Sequence, residues 1–418
     1  MQAPDAPREP SPALIPFHAA LPTLSLHADG VLWVGLALVL ATLMGESVLR
    51  LLRWPRLVGY LAAGLLIAAG GGALPAFELQ AGARAVVDAA MAVLLFEIGH
   101  RVNLRWLRSN PWLIATSAGE WTLATLLGWL ALSVLGAGGL HGLALAAALA
   151  CSAPAVALRL AGEFNARGQV TERMLLLAAL GSMLSILAVG LLTAWMGAQI
   201  GRHWWYALLQ QGYAIGGAVL AAAALAWAVN WVERHFDFAD EGAALLLVGL
   251  ILLVLSLTRM LRWSTLLTPL LAGLLLRARS QRPRVWPRHF GTAGGVLIVL
   301  LFMIVGMSMD WNALRAGALL ALALIAARAL GKLAVLRLLG PASGLSARQS
   351  VALGLSLNPA AAITFVLLLD AQQQLGDFPS RLLDAGFATI ALLGIAGTLL
   401  ARWALGRAGD IPREEGGS

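Results

Sequence analysis

Two apolar stretches, residues 149–157 (LACSAPAVA) and 355–363 (LSLNPAAAI), each put a proline inside a run long and apolar enough to cross a bilayer. Pro154 and Pro359 each remove one backbone hydrogen bond and free a carbonyl a turn earlier. Each also follows a side chain that can bind an ion or a proton: Cys151 and Ser152 in the first case, Asn358 in the second. Hydrocarbon offers no partner for freed backbone groups, so such breaks survive only where protein or a water-filled cavity receives them. Matched breaks in two halves of a hydrophobic chain point to the midplane binding site of a secondary transporter.

The surrounding chain fits that setting. Of its 418 residues 60% are hydrophobic and only 12% charged, which excludes an ordinary soluble globule and leaves a polytopic membrane protein. A net charge of +8 would suggest nucleic acid in a soluble domain. Here the arginines fall in short connections between apolar runs, a pattern of membrane topology and anionic lipid contact, so no nucleic-acid partner is expected. The single cysteine, Cys151, excludes an intramolecular disulfide and a cysteine metal cluster. No metal-ligand cluster, phosphate loop or catalytic triad is visible, so no metal, cofactor or enzymatic activity is expected. Residues 1–30 are proline-rich and lack the apolar core of a secretory signal; they read as an external, loosely ordered tail.

Apolar runs of helical length predict an all-α protein of thirteen transmembrane helices. They cover residues 31–52, 57–72, 83–100, 111–136, 140–160, 172–198, 204–232, 241–259, 263–277, 290–309, 314–339, 347–369 and 383–405. The second and ninth are short, and need burial among other helices or extension at their ends. Alternate connections collect 20 of the 29 basic residues on one side and 7 on the other, while Arg328 and Lys332 lie within a span. That asymmetry puts the amino terminus outside and the carboxyl terminus in the cytoplasm of a cell inner membrane.

The halves repeat. LVGYLAAGLLI (57–67) matches LLTPLLAGLLL (266–276), LLFEIGHRVNLRWLR (94–108) matches LLFMIVGMSMDWNALR (300–315), and Pro154 matches Pro359. The offsets stay between 205 and 209 residues and pair spans seven apart, an odd separation that inverts one copy. The expected organisation is a tail over 1–30, a first six-helix repeat over 31–200, a connecting helix over 201–238, a second, inverted repeat over 239–407 and a cytoplasmic tail over 408–418.

These segments, with VVDAAMAVLLFEIG, LIVLLFMIVGMSMDWNAL, ALGKLAVLRLLG and LGLSLNPAAAITFVLLL, resemble the monovalent cation:proton antiporter superfamily, second branch, the bacterial sodium/proton antiporters and potassium-efflux systems. The resemblance runs from residue 31 to 405, with VGMSMD (305–310) its most specific piece. It implies the sodium/proton antiporter fold with inverted repeats, two crossed broken helices at spans 5 and 12, a homodimer, and exchange of a monovalent cation for protons by elevator-like alternating access.

The chain departs from that family where the chemistry should be. Cation-exchanging members carry an aspartate midway along the sixth span; here Gly181 and Ser182 occupy the aligned positions, and no ionisable side chain lies between Glu172 and Arg202. The Gln-Gly-Gly-Glu run of potassium-type members is replaced by residues 358–362 (NPAAA), and Gly-Leu-Glu-Leu-Asp after span 3 by residues 99–103 (GHRVN). One family charge survives: Lys332, the sole lysine of the chain, at the basic position of span 11. An intramembrane ionisable group marks function by default, although a lysine near a helix end also snorkels. Arg328, one turn earlier on the same face, is placed to share its site.

Four carboxylates lie within apolar runs. Glu46 precedes Arg50 by four residues, Glu97 precedes Arg101 by four, and Asp88 follows Arg84 by four, spacings that suit structural ion pairs. Glu120 has no charged neighbour on its own helix and is the candidate to replace the absent aspartate in proton coupling. Carbonyls unwound near Ser152 and Asn358, with the hydroxyls of Ser182 and Ser185, offer ligands for a weakly held cation, though both serines serve equally as small packing residues. Half-helix amino termini beginning at Pro154 and Pro359, together with a charged Lys332, would instead suit an anion. The reading is therefore a cation:proton antiporter with diverged coupling residues, against a small-anion carrier on the same fold or a transport-inactive regulatory paralogue. Tryptophans at span ends (Trp54, Trp106, Trp112, Trp204, Trp205, Trp263, Trp286, Trp311, Trp403) read as an interfacial belt, and residues 277–288 (RARSQRPRVWPR) as a topology signal that binds anionic lipid.

Overall fold

The computed structural model describes residues 30–72, 81–199, 204–235, 240–279, 290–375 and 377–412. The expected tail before Gly30, Arg202, Trp286 with residues 280–289 of the arginine cluster, and residues 413–418 lie outside the described residues. Two units separate: residues 1–36, described only in the first turns of α1, and residues 37–418, which hold everything below.

Among the described residues the regular structure is helical, with no strand. The α-helices are α1 (Gly30–Leu52), α2 (Arg56–Ile67), α3 (Ala81–Arg101), α4 (Leu104–Ser109), α5 (Pro111–Val134), α6 (Gly139–Ala150), α7 (Pro154–Glu163), α8 (Gln169–Gln199), α9 (Trp204–His235), α10 (Asp240–Met260), α11 (Leu267–Arg279), α12 (Phe290–Met307), α13 (Trp311–Leu339), α14 (Ala347–Ser356), α15 (Ala362–Leu375), α16 (Ser380–Leu392) and α17 (Thr398–Ala408). Seven stretches among the described residues are long and apolar enough to cross a membrane: Gly35–Leu52, Gly139–Glu163, Gln169–Gly197, Trp205–Val232, Gly242–Met260, Trp311–Leu339 and Ser380–Ala408. Arg56–Gly70, Leu267–Ala278 and Gly295–Met307 are shorter apolar helices, the first two matching the stretches expected to be short.

Local chemistry fixes several helix ends. Asp310, last residue of VGMSMD, leaves the helical conformation and accepts a hydrogen bond from Asn312 N (3.2 Å), capping α13. Ser346 and Gln349 form a capping box on α14. The start of α8 is capped from the far end of the chain, where the Asp410 carboxylate accepts from Thr171 N (2.7 Å) and Thr171 Oγ1 (2.8 Å).

Glycines let two helix pairs touch backbone to backbone. A Cβ on Gly64 of α2 would stand 2.9 Å from Gly306 Cα of α12, and one on Gly306 would stand 3.0 Å from Gly64 Cα. Between α3 and α11, a Cβ on Gly273 would come within 2.8 Å of His100 N. Membrane helices gain association energy from such close packing because lipid gives no hydrophobic drive between them. The tryptophan belt needs two corrections. Trp54, Trp112, Trp205, Trp311 and Trp403 are exposed, but Trp106 is half-buried against the core, and Trp263 turns inward against Gly217 of α9 and stacks edge-on with Tyr213 at 6.3 Å.

Candidate functional site: the crossing of two broken helices

The sequence 149–157 breaks its helix as the proline requires. α6 ends at Ala150, Cys151–Ala153 is extended, and α7 starts at Pro154 in the first-turn position where a missing N–H costs nothing. The second break differs from expectation. α14 ends at Ser356 and α15 begins at Ala362, three residues beyond Pro359, so Leu357, Asn358, Pro359, Ala360 and Ala361 are all non-helical. Asn358 closes the near side of this break: its Nδ2 donates to Gly354 O (3.0 Å) and Leu355 O (3.2 Å), tying off the last carbonyls of α14.

The two extended segments meet. Ala153 N donates to Pro359 O (3.0 Å) and Ser152 Oγ donates to Leu357 O (2.8 Å). Thr364, in the first turn of α15, lies with its hydroxyl 3.5 Å from Cys151 Sγ. Gly397, in a π-helical turn between α16 and α17, packs on this contact, since a Cβ there would stand 3.0 Å from Pro359 Cα.

The freed carbonyls already hold a cation. Arg328 of α13, 2% exposed, donates from Nη2 to Leu357 O (3.1 Å) and Pro359 O (3.1 Å), from Nε to Asn358 O (3.3 Å), and from Nη1 to Leu149 O. The unwound backbone therefore does not offer these four oxygens to an external ion. Its positive charge is solvated by oxygens from both breaks, which removes the cost of burying an unpaired guanidinium.

Lys332, one turn on from Arg328, is completely buried and so is Glu120 of α5. Lys332 Nζ donates to Glu120 Oε2 and, at 3.2 Å, to Ser152 Oγ. Gly331 makes this pairing possible. A Cβ there would lie 2.8 Å from Ala124 Cα, so α13 and α5 run in backbone contact one residue from the lysine and one turn from the glutamate. The expectation that Glu120 lacks a partner on its own helix holds, and its partner comes instead from 212 residues away. Glu120 Oε1 makes no hydrogen bond among the described residues although it is buried.

Gly181 and Ser182 of α8 complete the wall. A Cβ on Gly181 would stand 3.6 Å from Glu120 Oε1 and 4.0 Å from Cys151 Cα, so the glutamate of α5 reaches the space beside α8 in which a side chain from residue 181 would begin. Ser182 Oγ donates to Ala178 O (2.7 Å) on its own helix and lies 3.5 Å from Ser152 O. Ser185 Oγ donates to Ala147 O (2.7 Å) and accepts from Trp121 Nε1 (2.7 Å), so both serines also hold helices together. Ser152, Pro154, Ser182, Ser185, Arg328, Lys332, Asn358, Pro359 and Glu120 thus gather at one place. Sequence reasoning missed Trp121 and Thr364; the first adjoins Glu120, and the second is a lone hydroxyl just after a proline break. No group of three His, Cys, Asp or Glu able to hold a metal occurs among the described residues.

The other intramembrane carboxylates form separate pairs. Arg50 Nε donates to Glu46 (2.6 Å), and Arg101 to Glu97 (3.0 Å). Asp88 accepts from Arg84 (3.2 Å) and pairs with Arg259 of α10, while Arg84 also reaches Asp370 of α15 (2.5 Å).

This geometry agrees with what the chain resembles. The family model described as "Sodium/hydrogen exchanger, transmembrane" matches residues 35–405. Among curated proteins, K(+) efflux antiporter 2, chloroplastic, of Arabidopsis thaliana is 27% identical over 332 residues, covering 76% of this chain and 28% of its own length. K(+) efflux antiporter 1, chloroplastic, of the same plant is 28% identical over 333 residues, covering 76% of this chain and 27% of its own length. The chain therefore spans about a quarter of those relatives. The structure of the sodium proton antiporter MjNhaP1 from Methanocaldococcus jannaschii at pH 8 superposes with a TM-score of 0.68 at 20% identity, covering 91% of this chain and 98% of that one. An electron-microscopy structure of the same antiporter gives 0.67 at 19% identity, covering 90% and 95%. These likenesses establish the fold. A match over residues 35–405, around helices broken at a shared crossing, makes the chain a member of the sodium/hydrogen exchanger family, within the monovalent cation:proton antiporter superfamily.

Proposed function

We propose that this protein is an inner-membrane secondary transporter that exchanges sodium or potassium for protons by alternating access, with Glu120 acting from α5 in place of an aspartate on α8. The observation that carries the reading is the completely buried Glu120–Lys332 pair, with Glu120 Oε1 left unbonded beside Gly181. Antiport needs a site at which binding of a cation and retention of a proton exclude each other. A monovalent cation arriving at Glu120 competes with the Lys332 ammonium, which yields one proton and leaves as a neutral amine. The cluster carries the same net charge in either loaded form, so one proton exchanges for one cation. Ser152 Oγ, already 3.2 Å from the lysine, supplies a second ligand oxygen.

The scaffold is read as thirteen membrane crossings: a first six-helix repeat over 31–200, a connecting helix over 201–238 and a second, inverted repeat over 239–407, with short tails outside. Helix pairing supports the repeat, because α2 packs on α12 and α3 on α11 through glycines, and an exchange of halves converts one contact into the other. The amino terminus is assigned to the outside, the carboxyl terminus to the cytoplasm, and the assembly is read as a homodimer in contact with anionic lipid. The relatives named as potassium efflux antiporters favour potassium over sodium.

A second reading has its own support. Arg328 and Lys332 oppose a single carboxylate at the crossing, an excess of positive charge that would suit a small anion. Proteoliposomes separate the two. Potassium- or sodium-dependent proton release that disappears in Glu120→Gln is the expected result. Anion counterflow lost in Lys332→Gln, without cation-dependent proton movement, would replace it. Absence of both in folded protein would leave a regulatory role.

A further inference from the structure

A cavity of about 330 Å³ lies away from the crossing, between α2, α3, α7 and α12, and Arg56, Tyr60, Arg101, Arg159, Glu97 and Glu163 supply its polar lining. Three arginines and two glutamates supply that lining, and the bonds among them decide which positive charge is free. Arg101 is paired with Glu97 at 3.0 Å. The Arg56 side chain turns to Glu46 (3.0 Å), outside the lining. Glu163 stands one turn after Arg159 on α7 and would be its ordinary partner. Its carboxylate is instead drawn to the amino terminus of α2, where it accepts from Arg56 N at 3.1 and 3.3 Å. Arg159 is left half-buried, with no hydrogen bond or ion pair among the described residues, its Nη2 directed toward Gly295 of α12. The Tyr60 hydroxyl likewise has no hydrogen-bond partner among the described residues.

We propose that this cavity binds a singly charged phosphodiester, whose phosphate oxygens are held by the Arg159 guanidinium and the Tyr60 hydroxyl. A guanidinium presents paired donors that match two phosphate oxygens, and an O–H adds a third donor. One negative charge would partner the Arg159 guanidinium, whose neighbour Glu163 is engaged by the backbone of α2. The volume falls within the range of small-molecule sites and exceeds a bare phosphate, and the remaining wall is apolar, as the esterified groups require. An occupant would bridge α7, which continues from the break at the crossing, to α2 and α12. Two sources supply this chemistry: the headgroup of an anionic phospholipid, or a soluble phosphodiester.

The test uses the full-length protein in detergent micelles, following its thermal unfolding midpoint against phosphatidylglycerol, phosphatidylcholine and soluble glycerophosphoglycerol. Phosphatidylglycerol is expected to raise the midpoint and phosphatidylcholine to leave it unchanged. In Arg159→Gln, the half-saturating concentration should rise roughly tenfold or more, the loss expected for a hydrogen bond to a charged group. Tyr60→Phe should weaken binding less, and Arg105→Gln, at an exposed arginine, should not change it. A matching response to glycerophosphoglycerol assigns the soluble source, and a response confined to phosphatidylglycerol assigns the membrane. The proposal fails if neither diester raises the midpoint, or if Arg159→Gln and Tyr60→Phe both respond as the wild type does.

Discussion

The crossing and the cluster joining α3, α10 and α15 are both built from opposite charges, and they differ in what surrounds them. At the crossing Glu120 and Lys332 are 0% exposed and one carboxylate oxygen stays unbonded. In the cluster Asp88 is 4% exposed, but its partners Arg84 and Arg259 are 17% and 50% exposed, and Asp370 is 28% exposed. The cluster reaches the protein surface and its charges are shared among four side chains, so they can be structural at modest cost. No water-rich surface relieves the crossing, where burying two ions costs more than a hydrophobic pair would. Packing alone would not require so costly an arrangement, which is why the proposed exchange is placed at the crossing and not at the cluster.

Substitutions can break or sharpen this contrast. Glu120→Ala strands Lys332 in the protein interior and should cost about 3–5 kcal/mol, measured by unfolding in mixed micelles. The double variant Glu120→Leu with Lys332→Met removes both charges and should recover most of that loss, to within about 1 kcal/mol of wild type or better. Its proton exchange in proteoliposomes should be absent, which would separate fold from function. Asp88→Asn removes one charge from a partly exposed network and should cost about 1–3 kcal/mol with exchange retained. Glu97→Gln breaks an i,i+4 pair whose arginine is 47% exposed and should cost no more than about 0.5 kcal/mol. If Glu97→Gln matched Glu120→Ala in both measurements, the distinction drawn here would collapse.

Much of this contrast was legible in the sequence, because it follows from local rules. The i,i+4 spacings of Glu46–Arg50, Arg84–Asp88 and Glu97–Arg101 predict pairs that the structure contains. Pro154 predicts the start of α7 to the residue, since proline is suited to the first helical turn. Pro359 does not do the same for α15. Its carbonyl accepts from Ala153 N and Arg328, and those tertiary bonds keep the segment extended for three more residues. The pairing of Glu120 with Lys332 escaped for a similar reason. Each was conspicuous alone, but helix–helix contact at Gly331 joins residues 212 apart, and no periodicity within either helix encodes that. Trp263 reads as interfacial from its place at a span end, yet the notch at Gly217 takes it inward.

Arg328 has one consequence for the break itself. An unwound backbone with no partner would leave bare dipoles in a dry interior. Here the guanidinium serves as an internal solvent for the break, present whether or not anything is being carried. The crossing is therefore held by a side chain of the protein itself, and the carboxylate oxygen there that has no hydrogen bond among the described residues is Glu120 Oε1.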